Sequence, residues 1–268
     1  MNRWMDPMLE AFERSCGSTA WFFRDDDAGW ADERLLAVTD VFQHTGVVLD
    51  VAAIPAAVSP RLSAELRALV AAGVISVHQH GWTHVNHQLE GRRSEFGTAR
   101  ADSDQRHDLK MGQNVLCELL DGAVEPIFTP PWNRCSDRTV ALLDEIGLTV
   151  LSCDVSAPSR KVPGVVEVPV CVDWTRAWQA GGPEHLGREL ARVLFAPAPT
   201  VGLMLHHATM TDEQLEALDS LVCTLRSHHS VELTSIAALG AAGAAESNFA
   251  ESNWADHKVG SDTEMEST

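Results

Sequence analysis

The sequence predicts an α/β protein built around a parallel β-sheet. Short apolar runs alternate with longer stretches in which apolar residues recur at helical spacing, and glycine or proline marks many boundaries. Repeated β–α–β alternation implies parallel strands, because each helix returns the chain to the same end of the sheet. About seven or eight predicted strands in 268 residues favour a (β/α) barrel over an open sheet, although periodicity alone does not separate the two.

The N-terminal part of the chain predicts three strands and two helices. Pro60 falls in the first turn of the second helix, where its missing N–H leaves no hydrogen bond unmade. Gly46 and Gly73 follow the two helices, where glycine commonly ends a helix. The predicted elements are a strand at residues 20–23, a helix at 32–44, a strand at 47–54, a helix at 60–73 and a strand at 74–77.

The C-terminal part continues the alternation and then changes character. Ser136 is a favourable N-cap for one of its helices. From Gly240 onward the sequence is rich in Ala, Ser, Glu and Asp and loses its periodicity, so we predict one folded domain at residues 1–240 and a disordered acidic tail at residues 241–268. The predicted helices cover about residues 104–120, 136–146, 184–195 and 212–226, and the strands 127–128, 149–153, 165–172, 201–205 and 231–233.

Composition restricts the partners and the compartment. The formal net charge of −18 argues against nucleic acid or an anionic membrane surface as a partner. No stretch is long and apolar enough to span a bilayer, and residues 1–17 lack a signal-peptide pattern, so we expect a cytoplasmic protein. The six cysteines include no Cys-x-x-Cys pair, which is typical of small core residues in a reducing compartment. None of these features predicts an oligomeric state.

Unusual polar residues occur where the predicted strands end. The carboxyl ends of parallel strands meet at one side of a sheet or barrel, where active groups gather. We therefore expect these side chains to share one site. They are Asp25, Asp26 and Asp27; His78, His80, His84 and His87; residues 129–134; Asp154; and His206 with His207.

Two features of this set indicate a divalent metal. His80 and His84 are four residues apart, so one turn or compact loop can direct both imidazoles at one ion. Two histidines and a carboxylate form a common catalytic set, for which Zn²⁺ is the favoured ion. Three adjacent aspartates are costly to ionise together without a cation. The alternatives are a pair of polar loop histidines and a solvated turn with a helix N-cap from Asp27 or Asp32.

His206, at the end of a buried strand, has two interpretations. Taken alone, it is best explained as a core histidine with satisfied hydrogen bonds. Opposite a metal site it suits a general acid, because an unperturbed imidazole titrates at about 6.5 and can protonate a leaving amine.

In this order, the polar groups resemble the motifs of the polysaccharide deacetylase (NodB-homology) family. Residues 80–84, His-Gly-Trp-Thr-His, are similar to the family's His-(Ser/Thr)-x-x-His metal motif, with Gly81 as a departure. Residues 23–29 resemble the first motif, with its paired aspartates. Residues 128–133 resemble the Arg-x-Pro-aromatic-Gly motif, and residues 203–206 the Leu-x-His motif. The resemblance extends over about residues 20–239.

The resemblance implies a deformed (β/α)7 barrel and metal-dependent hydrolysis of an N-acetyl or similar amide on an amino sugar or related small molecule or glycan. A second register, with Asp25 as the base and Asp26 on the metal, stays open. The implied roles are metal ligands at Asp27, His80 and His84, a general base at Asp26, an oxyanion-binding backbone N–H at Trp132, a general acid at His206, and Asp154 as the residue that orients or tunes this acid.

One departure affects catalysis. Thr129 occupies the position of the family arginine that pairs with the base, and threonine supplies no charge. We expect Arg134 or Arg24 to reach the base instead. Arg92 and Arg93 either bind an acidic substrate group or belong to a solvated loop. Two rival functions remain, a carbohydrate-binding relative with weakened catalysis and a metal-dependent esterase or phosphoesterase on the same scaffold.

Overall fold

A computed structural model describes residues 3–14, 17–195 and 200–245. The strands are β1 (Thr19–Ala28), β2 (Leu49–Ala53), β3 (Ile75–His80), β4 (Ile127–Thr129), β5 (Val150–Leu151), β6 (Val166–Glu167), β7 (Val172–Asp173), β8 (Thr200–Leu205) and β9 (Val231–Leu233). The α-helices are α1 (Asp6–Arg14), α2 (Asp32–Thr45), α3 (Pro60–Ala71), α4 (Asp102–Leu119), α5 (Asp137–Glu145), α6 (Trp174–Leu194), α7 (Asp212–Ser227) and α8 (residues 236–245). Short 3-10 helices cover Arg3–Met5, Pro131–Asn133 and His207–Thr209.

The strands form one parallel sheet that curls into a barrel. Its order is β6-β5-β4-β3-β2-β1-β8-β7, and β9 pairs with the start of β1. Residues 166–173 pair with β5 at their beginning, through β6, and with β8 at their end, through β7. This segment therefore joins the two edges, and with β1–β5 and β8 it makes seven strands. The predicted deformed (β/α)7 barrel is confirmed.

Alternation along β1 separates the barrel interior from the layer beneath the helices. Trp21 and Phe23 belong to the main core that the helices cover, whereas Phe22 packs with Val150 and Met204 in a separate cluster. Successive side chains of a strand point to opposite faces. This alternation places each aspartate at the end of β1 on one face or the other.

A strand and a helix differ from the prediction. The strand predicted at residues 165–172 is interrupted, because Pro169 has no N–H to donate to a neighbouring strand. Helix α6 begins at Trp174, before the predicted residue 184, because the Asp173 side chain accepts the N–H of Arg176 as an N-cap. Gly181 and Gly182 have non-helical backbone angles and kink α6. Because of this break, the sequence pattern predicted only the second half of the helix.

The two ends of the folded part add helices that the sequence did not predict. Helix α1 packs against α6, and Trp4 of the preceding 3-10 helix meets Trp174 of α6 edge to face with ring centroids 6.4 Å apart. Residues 241–245, predicted as tail, belong to α8, whose N-terminal Ile236 N–H donates to the buried Asp50 carboxylate. The rest of the predicted tail lies outside the described residues. No helix in the described part is long and apolar enough to cross a membrane.

Candidate metal centre and catalytic residues

The end of β1 breaks the strand alternation. Its register with β2 shifts between Asp25 and Ala28, and Asp27 has a left-handed φ of 74°. Among residues other than glycine, aspartate and asparagine adopt this conformation most readily. The turn brings both Asp26 and Asp27 to the histidine side of the strand, while Asp25 lies on the opposite face. This geometry favours Asp26 and Asp27 as the base and ligand pair over the second register.

Asp27, His80 and His84 meet at one point. The Asp27 Oδ1 lies 3.1 Å from the His80 Nε2 and 3.2 Å from the His84 Nε2. The three potential ligand atoms lie within 4.8 Å of one another. The His80 Nδ1 is 3.0 Å from the Thr129 carbonyl oxygen, to which it donates, so its Nε2 faces Asp27. Two imidazoles and one carboxylate are a suitable donor set for a catalytic divalent ion.

Glu95 organises the loop that carries His84, although no sequence motif assigned it a role. Its buried carboxylate accepts the backbone N–H groups of Trp82, Thr83 and His84 at 2.8–3.3 Å. The Thr83 hydroxyl donates to it as well, at 3.0 Å. Glu95 follows His84 by eleven residues. No local sequence pattern predicts that the loop folds back and brings the two together.

The same carboxylate explains Gly81, the departure from the family motif. Gly81 has a φ of 61°, in the region that favours glycine. A Cβ at this position would collide with the Glu95 carboxylate and with the Pro131 ring. The loop therefore needs glycine because Glu95 occupies the space that a serine or threonine side chain would take.

Two tryptophans pack against His84. The Trp132 ring centroid is 4.4 Å from that of His84. The Trp30 ring centroid is 4.8 Å from that of His84, and these two rings are arranged edge to face. Trp132 has a left-handed φ of 57° within the Pro-Pro-Trp-Asn turn. The predicted oxyanion residue therefore lies beside the predicted metal ligands, and the two rings limit the orientation of the imidazole.

Arg24 pairs with the predicted base. Its Nε and a terminal nitrogen donate to the two oxygens of Asp26, at 2.8 and 2.9 Å, in a buried bidentate pair. Burial alone would raise the pKa of Asp26, but the charge of Arg24 lowers it. Arg24 also donates to Asn133 Oδ1 at 2.7 Å. Arg134 instead donates to the Arg93 carbonyl, so of the two predicted substitutes Arg24 is the one that reaches the base.

Thr129, at the position of the family arginine, pairs with a histidine. Its hydroxyl lies 2.9 Å from Nε2 of the buried His78. Burial, together with the charge of the nearby Arg24, lowers the pKa of His78 to about 3. The pair is therefore neutral and leaves Arg24 as the cation that faces Asp26.

Asp25 pairs with His207, one of the strand-end histidines to which no motif assigned a role. The His207 Nδ1 is 2.5 Å from Asp25 Oδ1, and its Nε2 is 2.7 Å from the Trp30 carbonyl oxygen. Both oxygens only accept, so both ring nitrogens donate and the imidazole is protonated. Burial would lower the pKa of His207, but Asp25 raises it to about 9. Strand alternation, which separates His206 from His207, was the signal that could have found this pair.

His206 lies near the predicted base, but its predicted partner does not bind it. It is close enough to Asp26 for its charge to lower the pKa of that carboxyl group. The His206 Nδ1 is buried and has no hydrogen-bond partner within the described residues. Asp154 accepts the Ser156 N–H at 2.7 Å instead, because it lies in a tight turn after β5. No hydrogen bond joins Asp154 to His206 among the described residues, and a role for Asp154 in orienting or tuning His206 stays a prediction.

The family is decided by a profile match over the segment that carries these residues. The profile described as "Polysaccharide deacetylase" matches residues 20–151, from β1 through β5. The chain is a member of the polysaccharide deacetylase family. The match includes Asp26, Asp27, His80 and His84 and stops before His206. No curated protein matches the chain.

Solved structures share the fold of this polysaccharide deacetylase family member. A Mycobacterium smegmatis protein provisionally described as a polysaccharide deacetylase has a TM-score of 0.67 and 15% identity, over 87% of this chain and 92% of its own. A family 4 acetyl xylan esterase from Clostridium thermocellum, in complex with a cobalt ion, gives 0.57 and 15%, over 81% and 88%. A mutant of BA3943 from Bacillus anthracis, a CE4 family pseudoenzyme with restored enzymatic activity, gives 0.59 and 19%, over 83% and 68%. At these identities the likeness establishes the fold.

Proposed function

We propose that this protein is a metal-dependent hydrolase that removes an acetyl or similar small acyl group from an amino sugar or related amide. The observation that carries the proposal is the Arg24–Asp26 pair beside Asp27, His80 and His84. A metal triad alone also fits a structural site. An ionised, buried carboxylate held next to that triad is what activation of a water molecule requires.

Each residue has a defined part in the proposed reaction. Asp27, His80 and His84 hold a divalent cation, for which Zn²⁺ is our proposal. When bound, such a cation polarises a carbonyl group and makes water more acidic. Asp26 accepts the proton of the attacking water, and Arg24 keeps it ionised and oriented until then. The Trp132 backbone N–H stabilises the oxyanion, and His206 protonates the departing amine.

Acetate release tests this function and its ester alternative together. Metal-free and zinc-loaded protein are assayed for acetate release on N-acetylated amino sugars and amines and on O-acetyl esters, and for phosphate release on phosphate esters. We expect acetate from the N-acetyl compounds only after loading, and none from an Asp26→Asn variant that still binds zinc. Preferential cleavage of O-acetyl esters would move the assignment to an esterase, the activity named for the C. thermocellum structure. Full activity of the metal-free protein would overturn the proposal.

Metal counting needs one precaution. His44, Asp219 and Cys223 form a second group of possible ligands, at the surface between α2 and α7. Zinc stoichiometry is therefore measured in a His44→Ala background, which leaves the Asp27, His80 and His84 group intact. One zinc per chain in this background, lost on adding His80→Ala, assigns the ion to the proposed site.

A second function, carbohydrate binding without turnover, is favoured by one observation. Thr129 replaces the family arginine, and a structural neighbour is a pseudoenzyme. Arg24 opposes this alternative because it supplies the missing charge from β1. We expect Arg24→Met to lower the rate of acetate release by at least about 100-fold while zinc stays bound. Unchanged activity would show that the Arg24–Asp26 pair has no catalytic part, and no activity in the parent protein would favour carbohydrate binding.

The cytoplasmic location is also a proposal, and fractionation of the producing cells tests it. We expect the protein in the cytosolic fraction, and recovery from the medium or the cell envelope would contradict this location.

A further inference from the structure

A cavity lined with arginines opens beside the proposed catalytic residues. Its volume is about 420 Å³, in the range of small-molecule sites. Trp132 and Asn133 line it, and the Asn133 side chain accepts a hydrogen bond from Arg24 at 2.7 Å. The cavity is thus continuous with the residues that hold Asp26. Four arginines contribute to its wall: Arg92, Arg134, Arg160 and Arg176.

These arginines are unusual within this chain. The formal net charge is −18, and eight of the thirteen arginines elsewhere in the described part pair with carboxylates, as Arg34 does with Asp212 and Arg106 with Glu145. Of the four cavity arginines, Arg160 alone forms an ion pair among the described residues, with Asp137. A strongly acidic protein has no shortage of carboxylates, so guanidinium groups left unpaired at one cavity indicate an anionic ligand.

The two aspartates of the cavity offset only part of the charge of its four arginines. The Asp154 carboxylate accepts the Ser156 N–H, and the Asp173 carboxylate accepts the Arg176 N–H. Each therefore caps a local turn or helix. Arg92 and Arg134 are close enough for the charge of Arg92 to lower the pKa of Arg134, although burial contributes more to this shift. A bound anion would relieve this repulsion.

We propose that this cavity binds an anionic group of the substrate, a carboxylate or a phosphate, and so makes the protein selective for negatively charged acylated amines. The inference deepens the proposed function and rests on it for the identity of the ligand as substrate. Arg92, Arg134 and Arg176 have no carboxylate partner in the part of the chain that the structure describes. Arg92 and Arg134 provide the main contacts, because they belong to segments next to the metal loop. Arg160 is fixed by Asp137 and by the Cys135 carbonyl and provides a rigid wall.

Calorimetric binding and kinetics with three probes test the proposal. The probes are N-acetylglucosamine, its 6-phosphate, and N-acetylmuramic acid, which carries a carboxylate. Inorganic phosphate is the competitor that separates a free-phosphate site from a substrate site. The variants are Arg92→Ala, Arg134→Ala and their combination. Arg93→Ala is the matched control, since it removes the same charge from the same loop at a residue that does not line the cavity.

We expect at least one anionic probe to bind at least about tenfold more tightly than the neutral sugar, and this preference to disappear in the double variant but not in Arg93→Ala. In turnover, each cavity variant should raise KM for the anionic probe and leave kcat nearly unchanged. Higher salt should weaken the binding of the anionic probe more than the binding of the neutral sugar. Preference between the phosphate and carboxylate probes identifies the anion.

The failure of this inference is distinguishable from failure of the proposed function. Arginine-dependent binding of an anionic probe without acetate release from any acetylated compound would contradict the proposed hydrolase activity and support the anion site. Equal affinity for neutral and charged probes, no binding of any probe at millimolar concentration, or an unchanged preference in the double variant would overturn the anion site. Binding of inorganic phosphate alone would do so as well, since the site would then not recognise a substrate.

Discussion

Two aspartate–histidine clusters arise from the same run of three aspartates, and their difference shows what makes a metal site. Asp27 meets His80 and His84 on one face of β1, where its side chain is 18% exposed. Asp25 meets His207 on the other face, where both side chains are fully buried. The first cluster gathers three ligand atoms at a place that solvent reaches. The second is one ion pair, with the remaining imidazole nitrogen donating to the Trp30 carbonyl.

The two clusters are also linked. Trp30 lies between them, because its carbonyl accepts from His207 while its ring packs against His84. The buried ion pair therefore fixes the loop that shapes the metal triad. Proximity of an aspartate to a histidine does not separate a structural pair from a metal site, whereas the number of donors and their access to solvent does.

The largest expected contrast is between His80→Ala and His207→Gln. His80→Ala should remove the metal of the triad and all acetate release, because two remaining ligands do not hold the ion. His207→Gln should keep one zinc per chain in the His44→Ala background. Metal analysis after gel filtration measures both, and zinc retained by His80→Ala but lost from His207→Gln would reverse our assignment of the two clusters.

The second contrast concerns stability. Removing one partner of a fully buried ion pair leaves an uncompensated charge, so His207→Gln should lower the free energy of unfolding by about 3–5 kcal/mol. His80→Ala should change the stability of the metal-free protein far less. Urea unfolding of both variants, measured without metal, gives the comparison. Equal losses would contradict a purely structural role for the Asp25–His207 pair.

The pH dependence of stability follows from His207. Its folded-state pKa of about 9 lies above the ordinary value of 6.5, so the protonated imidazole stabilises the folded protein. This contribution is complete below pH 6.5 and is lost as the pH rises to about 9, by about 3 kcal/mol. Urea unfolding of the metal-free protein across this range should show the decline. His207→Gln should lose most of it, and a decline of equal size in that variant would point to other groups.

The smallest effect is expected at Glu95. Glu95→Gln keeps the shape of the side chain but loses the charge that gathers three backbone N–H groups of the metal loop. Affinity for zinc should fall by about 10–100-fold, as for other residues that position metal ligands. Competition with a zinc chelator measures this change. Glu145→Gln, on the surface, serves as the control, and equal affinities in both variants would remove Glu95 from the metal site.

The sequence predicted most of the barrel because its signals are local. The apolar strand at residues 20–23 and the helices that end at Gly46 and Gly73 depend on spacing within one element. The split of residues 165–172 depends on which neighbours each half finds, and α8 depends on Asp50, far away in the chain. Such pairings between distant parts of the chain do not appear in the hydrophobic periodicity of the sequence.

The site shows the same division. Asp26, Asp27, His80 and His84 stand in short motifs, and the structure brings them together. Glu95 was missed and His207 was given no role of its own, because the partner of each is distant in the sequence. The Asp154 carboxylate accepts a backbone N–H of the turn after β5, and a role for it beside His206 stays a prediction. The arginine that the family carries at position 129, on β4, is replaced in this chain by Arg24, on β1. Only the folded barrel shows this replacement, because β1 and β4 face the same interior.

Zinc titration of the metal-free protein, with acetate release as the readout, tests the central claim most directly. An N-acetylated amine that the loaded protein hydrolyses is used throughout, in the His44→Ala background. We predict that activity rises linearly and saturates at one zinc per chain, and that Asp26→Asn binds the same zinc without activity. Acetate release before any zinc is added, or undiminished release by Asp26→Asn, would contradict the account.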